Sequence, residues 1–322
     1  MQKLAVIGAG AWGTAIANLL ARNGHEVLLW CFEQEVAEQI NQTHCNKTYL
    51  PNVELFKNIR AVTDFSEFAE VAAIFSVIPV QHSKVTLQPL LKLGAAIAKI
   101  PLVICSKGIE NQSLKLPSEF IAELLPHNPL VVMSGPNFAD EVALGEAAIT
   151  SIACADEQVG EQIIQLVANQ NFKPVYCVDI VGAQLGGALK NIIAIAMGIA
   201  VGMELSESSK AAIMTKGLNE IGMISRALGG RKRTAMEPCG IGDLVLTCSS
   251  IKSRNMSLGV ALGKGKTLKE IMAERKTVAE GVATTKAVKQ IAQQHNLNLK
   301  ICNLVYQILY ADQPITAESF FV

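Results

Sequence analysis

The sequence predicts an α/β protein in two parts, a doubly wound parallel sheet over residues 1–180 and an all-α domain over residues 181–322. Three observations predict it. A short apolar run, Leu4-Ala5-Val6-Ile7, meets Gly8-Ala9-Gly10-Ala11-Trp12-Gly13, and helical periodicity follows over 14–22. Short apolar runs then alternate with helix-like segments as far as about residue 180, the pattern of a parallel sheet with crossover helices. From Gly182 onward every apolar segment has helical spacing.

The first strand, turn and helix carry the most information. Gly8 can take the backbone angles of a tight turn, Gly10 presents no Cβ to an approaching phosphate, and Gly13 lets the helix pack against the strand. The free N–H groups of that helix face an anion, which suits a dinucleotide pyrophosphate; the plain alternative is a structural glycine turn. Gly24 closes the helix, and 27–30 reads as the second strand. Further strands are expected at 59–62, 73–80, 102–105, 130–133, 148–153 and 174–178, with helices such as 67–72 and 118–125 between them. In the second domain the helical segments are 184–203, 208–228, 268–274, 284–295 and 302–309. With no Pro/Ser-rich linker, the domains are expected to meet closely, with ligands in the cleft at the strand ends.

Half of the 322 residues are hydrophobic, and 28 basic side chains balance 28 acidic ones. A net charge of zero gives no general attraction to nucleic acid or an anionic membrane, so any anion must be held by a local site. Arg231-Lys232-Arg233 follows Gly229-Gly230 and reads as a solvated turn. The eight cysteines are scattered, with no Cys-x-x-Cys pair and no histidine at ligand spacing, which predicts reduced thiols in the cytoplasm and no metal site. Cys105, Cys154 and Cys177 are expected as small core fillers. The fold starts at the first residues, leaving no room for a signal peptide. The longest uncharged stretch, 191–203, is too short to span a bilayer and reads as a buried helix, so no membrane insertion is expected. Gly198 and Gly202 would permit close helix packing within one subunit or across a homodimer.

Six segments carry candidate chemistry. Ser106-Lys107-Gly108 ends the 102–105 strand and aims Lys107 at the expected cleft, unless it is only a solvated loop charge. Ser134-Gly135-Pro136-Asn137-Phe138-Ala139 follows the next strand in the same way, with Gly135 permitting backbone approach. Gly186-Gly187-Ala188-Leu189-Lys190-Asn191 sets a lysine at the head of a helical run free of charge until Glu204. Burial would lower the pKa of Lys190 and fit it to carry a proton; the alternative lays its stem on the core and its ammonium in water. Gly240-Ile241-Gly242-Asp243 presents a carboxylate, and Ser253-Arg254-Asn255 precedes a helix-like stretch at 256–262. A hydroxyl, a guanidinium and an amide before a helix suit a phosphate, although an ordinary N-cap with a surface arginine has the same pattern. Val278-Ala279-Glu280-Gly281-Val282 is a further tight turn with an acid.

Together these motifs, with Tyr49-Leu50-Pro51, Ser106 to Glu110 and Asp243 to Cys248, resemble the bacterial-type NAD(P)-dependent glycerol-3-phosphate dehydrogenases, in the family's order and over nearly the whole chain. The resemblance implies a Rossmann-like first domain. It also implies reversible hydride transfer between NAD(P)H and dihydroxyacetone phosphate, giving sn-glycerol 3-phosphate for phospholipid synthesis. By the same resemblance Lys190 would protonate the ketone oxygen, Lys107 would be a second cation near that oxygen and the cofactor, and Asp243 would orient Lys190 or a substrate hydroxyl. Gly135, Asn137, Thr247, Ser253, Arg254 and Asn255 would line the substrate and its phosphate. Gly8, Gly10, Ala11, Trp12, Gly13, Phe32, Tyr49, Ala139, Arg254, Val278 and Glu280 would touch NAD or NADP. A ketone gaining hydride develops negative charge on oxygen, which two lysines can stabilise.

The sequence departs from the family at Phe32, where arginine or histidine is common, and no acid ends the second strand; Glu33 comes slightly late. Cofactor choice is therefore left open. The rival readings are a two-domain reductase of ketopantoate or 6-phosphogluconate type, and a non-catalytic NAD(H)-sensing protein; the latter needs a partner-binding or DNA-binding segment that is not visible.

Overall fold

The computed structural model describes residues 1–274, 279–311, 314, 316 and 318–320. It divides into two compact units, residues 1–106 with 117–180, and residues 107–116 with 181–322. The segment 107–116 thus differs from the expectation of an unbroken first domain. It belongs to the second unit because Ile109 and Leu116 are buried in that unit's apolar core.

The first unit runs β1 (Lys3–Ile7), α1 (Ala11–Arg22), β2 (Glu26–Trp30), α2 (Gln34–Thr43), a hairpin of β3 (Cys45–Asn46) and β4 (Leu50–Glu54), then β5 (Ile59–Val62) and β6 (Ile74–Ser76). It continues α3 (Val80–Leu87), β7 (Leu102–Ile104), α4 (Pro117–Leu124), β8 (Leu130–Ser134), α5 (Ala139–Leu144), β9 (Ala148–Ala153), α6 (Glu157–Val167) and β10 (Phe172–Cys177). Eight strands form one sheet in the order β10-β9-β8-β7-β6-β1-β2-β5. The central strands are apolar throughout because helices cover both faces, and Leu4 to Ile7 are fully buried. All neighbours pair in parallel except β8 and β9, so β9 and β10 run against the rest. The sheet is mixed rather than wholly parallel. Strand order reverses at β1, with β2 on one side and β6 on the other, so the turn after β1 sits at the switch point where such sheets bind ligands.

The strand expected at 73–80 stops at Ser76. Pro79 has no N–H to offer a ladder and instead sets the start of α3. The expected helix at 67–72 is a 3₁₀ turn, Ser66–Glu70. Cys105 and Cys154 are buried as expected, whereas Cys177, at the end of the edge strand β10, is only half-buried.

The second unit contains α7 (Ile180–Gly202), α8 (Glu207–Ala227), α9 (Asp243–Ser249), α10 (Arg254–Gly263), α11 (Leu268–Glu274), α12 (Glu280–Gln294) and α13 (Lys300–Tyr310). Helix α7 is longer than the uncharged stretch read from the sequence. Its length and composition would allow a membrane crossing, but it is buried from Gly182 to Ala200 and forms the centre of the unit's core. Gly198 and Gly202 are spent inside the chain. A Cβ on Gly198 would lie 2.8 Å from the Gly259 Cα, and one on Gly202 3.0 Å from the Gly263 Cα, so α7 and α10 cross backbone to backbone. The glycine pair therefore carries no argument for a second subunit. Across the same core, Glu220 of α8 accepts the N–H groups of Ile301 and Cys302 at 2.6 and 3.0 Å, capping α13 from another helix.

Candidate active site

In the first unit the glycine turn has the geometry a dinucleotide needs. Gly8 has φ +110°, and a Cβ there would lie 3.0 Å from the Val77 carbonyl oxygen. A Cβ on Gly13 would collide with the Gly8 carbonyl oxygen, so only glycine lets α1 start this close to β1. Gly10 is different: nothing lies within 4 Å of where its Cβ would be. Its lack of a side chain serves no packing need, and the space in front of it remains for a ligand. Gly10 caps α1 without a side-chain bond and no acid lies in the first turn, where Ala11 and Trp12 sit, so the helix N-terminus keeps its pull on an anion.

Asn46, unremarked in the sequence, fixes the neighbourhood of this turn. It is fully buried, and its Nδ2 donates to the Ala9 carbonyl and to Thr14 Oγ1, each at 2.8 Å. Its Oδ1 accepts the Tyr49 N–H at 3.1 Å, which ties the β3–β4 hairpin to the glycine turn. Tyr49 in turn donates its hydroxyl to Glu33 Oε1 at 2.7 Å, and Phe32 stands exposed beside them.

In the second unit a glycine contact builds the polar cluster. Gly186 faces the backbone of Cys239, where a Cβ would strike the carbonyl oxygen; a π-helical turn, Pro238–Gly242, therefore lies against α7. That turn runs directly into α9, whose first residue is Asp243, and Lys190 lies one helical turn beyond Gly186. Lys190 Nζ meets Asp243 Oδ1, and Lys107 Nζ meets Asp243 Oδ2 at 2.5 Å. Asp243 is fully buried and Lys190 nearly so. Lys190 lies in the body of α7, within the segment 184–203 expected to be helical. Thr247, one turn along α9, donates to the Asp243 carbonyl at 2.6 Å and lies 3.5 Å from its Oδ1.

Burial pushes the Lys190 pKa down to about 8; the Lys107 charge pushes the same way, and Asp243 opposes both. Two lysines share one carboxylate in a buried place, so the cluster favours an anion or an oxygen gaining negative charge.

Ser253, Arg254 and Asn255 lie at the start of α10. Ser253 is the N-cap, its Oγ accepting the Met256 N–H at 3.3 Å. Asn255 Oδ1 accepts the Gly281 N–H at 3.0 Å and joins the starts of α10 and α12. Glu280 is the first residue of α12 rather than part of a free turn. Burial raises its pKa, while Arg254, Lys190 and Lys107 pull it back in that order, which places all four residues in one neighbourhood. Val278 lies outside the described residues.

The remaining candidates are in the first unit. A Cβ on Gly135 would come within 2.7 Å of the Thr150 Cα, so the backbone that approaches it is that of β9. Asn137 donates to the Pro136 and Ile149 carbonyls at 2.9 and 3.0 Å, and its buried Oδ1 has no partner among the described residues. Ala139 opens α5. No cluster of metal-ligating side chains occurs among the described residues.

Two family models cover the chain. The N-terminal model of NAD-dependent glycerol-3-phosphate dehydrogenase matches residues 3–160 and the C-terminal model matches 179–318. The glycerol-3-phosphate dehydrogenase [NAD(P)+] of Parvibaculum lavamentivorans is 44% identical over 309 residues, covering 96% of this chain and 92% of that protein. The crystal structure of the glycerol-3-phosphate dehydrogenase from Coxiella burnetii superposes with a TM-score of 0.91 at 33% identity, over 97% of this chain and 95% of that one. A ketopantoate reductase from Ralstonia eutropha matches at TM-score 0.62 and 16% identity, over 96% of this chain and 97% of that one, a likeness of fold alone.

Proposed function

The chain belongs to the NAD-dependent glycerol-3-phosphate dehydrogenases, and from that premise we propose how its residues divide the reaction. It is an NAD(P)-dependent oxidoreductase that interconverts dihydroxyacetone phosphate and sn-glycerol 3-phosphate, the backbone of glycerophospholipids. The first unit would hold the dinucleotide, with Gly10 and the N-terminus of α1 taking its pyrophosphate. The bound nicotinamide supplies the hydride chemistry.

Everything else falls to the second unit. Reduction places negative charge on the ketone oxygen, and Lys190 Nζ donates the proton that quenches it. Lys107 stabilises the same oxygen electrostatically, and Asp243 holds both ammonium groups in register. In the oxidation direction neutral Lys190 takes the hydroxyl proton. Arg254, beside the N-terminus of α10, pairs with the substrate phosphate through its planar fork, and Asn255 and Thr247 line that region. The eight cysteines, all free, suit the reducing cytoplasm.

The observation that supports this reading best is the buried Lys107, Asp243 and Lys190 cluster, whose net positive charge a neutral product would not require. The test is NADH consumption with dihydroxyacetone phosphate, run beside dihydroxyacetone and ketopantoate. Turnover should require the phosphate ester. Equal turnover of ketopantoate would overturn the assignment, and no turnover with any ketone would favour a sensor.

A further inference from the structure

At the carboxyl end of β2 the chain turns through Cys31, Phe32 and Glu33 into α2. This corner adjoins the glycine turn: the Gly8 N–H donates to the Trp30 carbonyl at 3.1 Å. Phe32 is 82% exposed, its ring edge-on to Trp30 at 6.4 Å, and offers no charge. Glu33, the N-cap residue of α2, has an extended backbone and makes no capping bond with its side chain. Its carboxylate is not free to wander, because Tyr49 donates to Oε1 at 2.7 Å. Tyr49 is itself set by Asn46, which is locked to the glycine turn on one side and to the Tyr49 backbone on the other. The bond to Glu33 raises the pKa of the Tyr49 phenol, which keeps it a donor. The second oxygen, Oε2, is outside that bond. Arg60, the cation of the neighbouring strand β5, is engaged by Glu67.

We propose that Glu33, positioned by Tyr49 and Asn46, is the cofactor-specificity residue of this chain, accepting a hydroxyl of the adenosine ribose and selecting NAD(H) over NADP(H). The inference rests on the dehydrogenase reading and settles which of its two nucleotides this chain takes. An acid beside the switch-point turn accepts a ribose hydroxyl well and repels a 2′-phosphate, and here it arrives from the start of α2 rather than from the end of β2. The hairpin supplies the rigidity that the late position lacks.

The test is direct binding of NADH and NADPH to the whole protein without substrate, by fluorescence titration, for wild type, Glu33→Gln and Tyr49→Phe. Thermal unfolding checks that each variant is folded. Wild type should bind NADH at least about tenfold tighter than NADPH, since charge repulsion in a half-exposed site is worth about 1.4 kcal/mol or more at moderate salt. Glu33→Gln should tighten NADPH by roughly tenfold and weaken NADH by a few-fold, as expected when an ionised acceptor becomes neutral. Tyr49→Phe should move the ratio in the same direction by less. Raising ionic strength should narrow the wild-type gap and leave the Glu33→Gln gap unmoved. Tighter wild-type binding of NADPH, especially if Lys47→Ala on the same hairpin abolishes it, would overturn the proposal, and so would a ratio unchanged in Glu33→Gln. Failure to bind either nucleotide would instead sink the dinucleotide reading itself.

Discussion

Lys107 and Lys190 grip opposite oxygens of a single carboxylate, that of Asp243. Lys190 is the more deeply buried of the two. Its burial and its like-charged neighbour leave it with a pKa of about 8, so it changes protonation within the working pH range.

The pH dependence should therefore take opposite signs in the two directions. With Lys190 as the proposed donor, ketone reduction would need the protonated lysine, present below about pH 8, so its rate should fall as pH rises through that value. Oxidation of glycerol 3-phosphate needs the neutral amine and should rise through the same range. Lys190→Ala should lower turnover by roughly a hundredfold or more and erase both limbs. Activity within about threefold of wild type would remove Lys190 from the mechanism.

Asp243→Asn takes away the anion that opposes the two cations. The Lys190 limb should move to lower pH by about a unit or more, because desolvation and Lys107 then act unopposed. Stability should drop by about 3 kcal/mol, the order of loss for a buried pair deprived of one partner. An unmoved limb in the pH profile would show that Asp243 only packs.

Gly10→Ala and Gly13→Ala should fail in different ways. Nothing among the described residues lies within 4 Å of a Cβ at Gly10, so that variant should unfold at the wild-type temperature while losing most of its nucleotide affinity. At Gly13 the added methyl meets the Gly8 carbonyl, so the variant should be destabilised by about 2 kcal/mol or more, visible by calorimetry without any ligand. Equal nucleotide affinity in Gly10→Ala and wild type would place the pyrophosphate elsewhere.

Arg254→Ala should cost about 2–4 kcal/mol in kcat/KM for dihydroxyacetone phosphate, since the phosphate is left unpaired beside a buried cluster. Lysine at this position should restore only part, having the charge without the fork. The nucleotide KM, measured alongside, separates a phosphate contact from a cofactor contact. Values of kcat and KM within about twofold of wild type would reassign the phosphate.

What the sequence disclosed follows from where the information is local. The strands 59–62 and 148–153 and the helix 268–274 were legible to the residue because each is a short run whose pattern comes from its own residues. Lys190 stood out as a charge in an apolar run, and its environment is the one that pattern implies. The antiparallel pairing of β8 and β9 was not legible, since a strand's periodicity does not encode its direction. Neither was α9: Asp243-Leu244-Val245-Leu246-Thr247 has the branched residues of a strand, and packing in the core decides for helix. Asn46 resembles any polar turn residue in sequence. Only the three hydrogen bonds of its buried amide show that it ties the β3–β4 hairpin to the glycine turn. The glycines at 198 and 202 carried a true signal of close approach, but their partners at 259 and 263 are set by tertiary contact alone.

The excursion of residues 107–116 into the second unit bears on how the molecule is made. These residues leave the ribosome well before α7 to α13 exist, and at about 5–20 residues per second they wait roughly ten to forty seconds for those helices. Until then Ile109 and Leu116 have no core to enter, and Lys107 has no carboxylate to hold. The first unit can complete its sheet during synthesis, but the cluster of Lys107, Lys190 and Asp243 closes only once α9 has been made. A chain that ends before Asp243 therefore lacks the carboxylate that both lysines share.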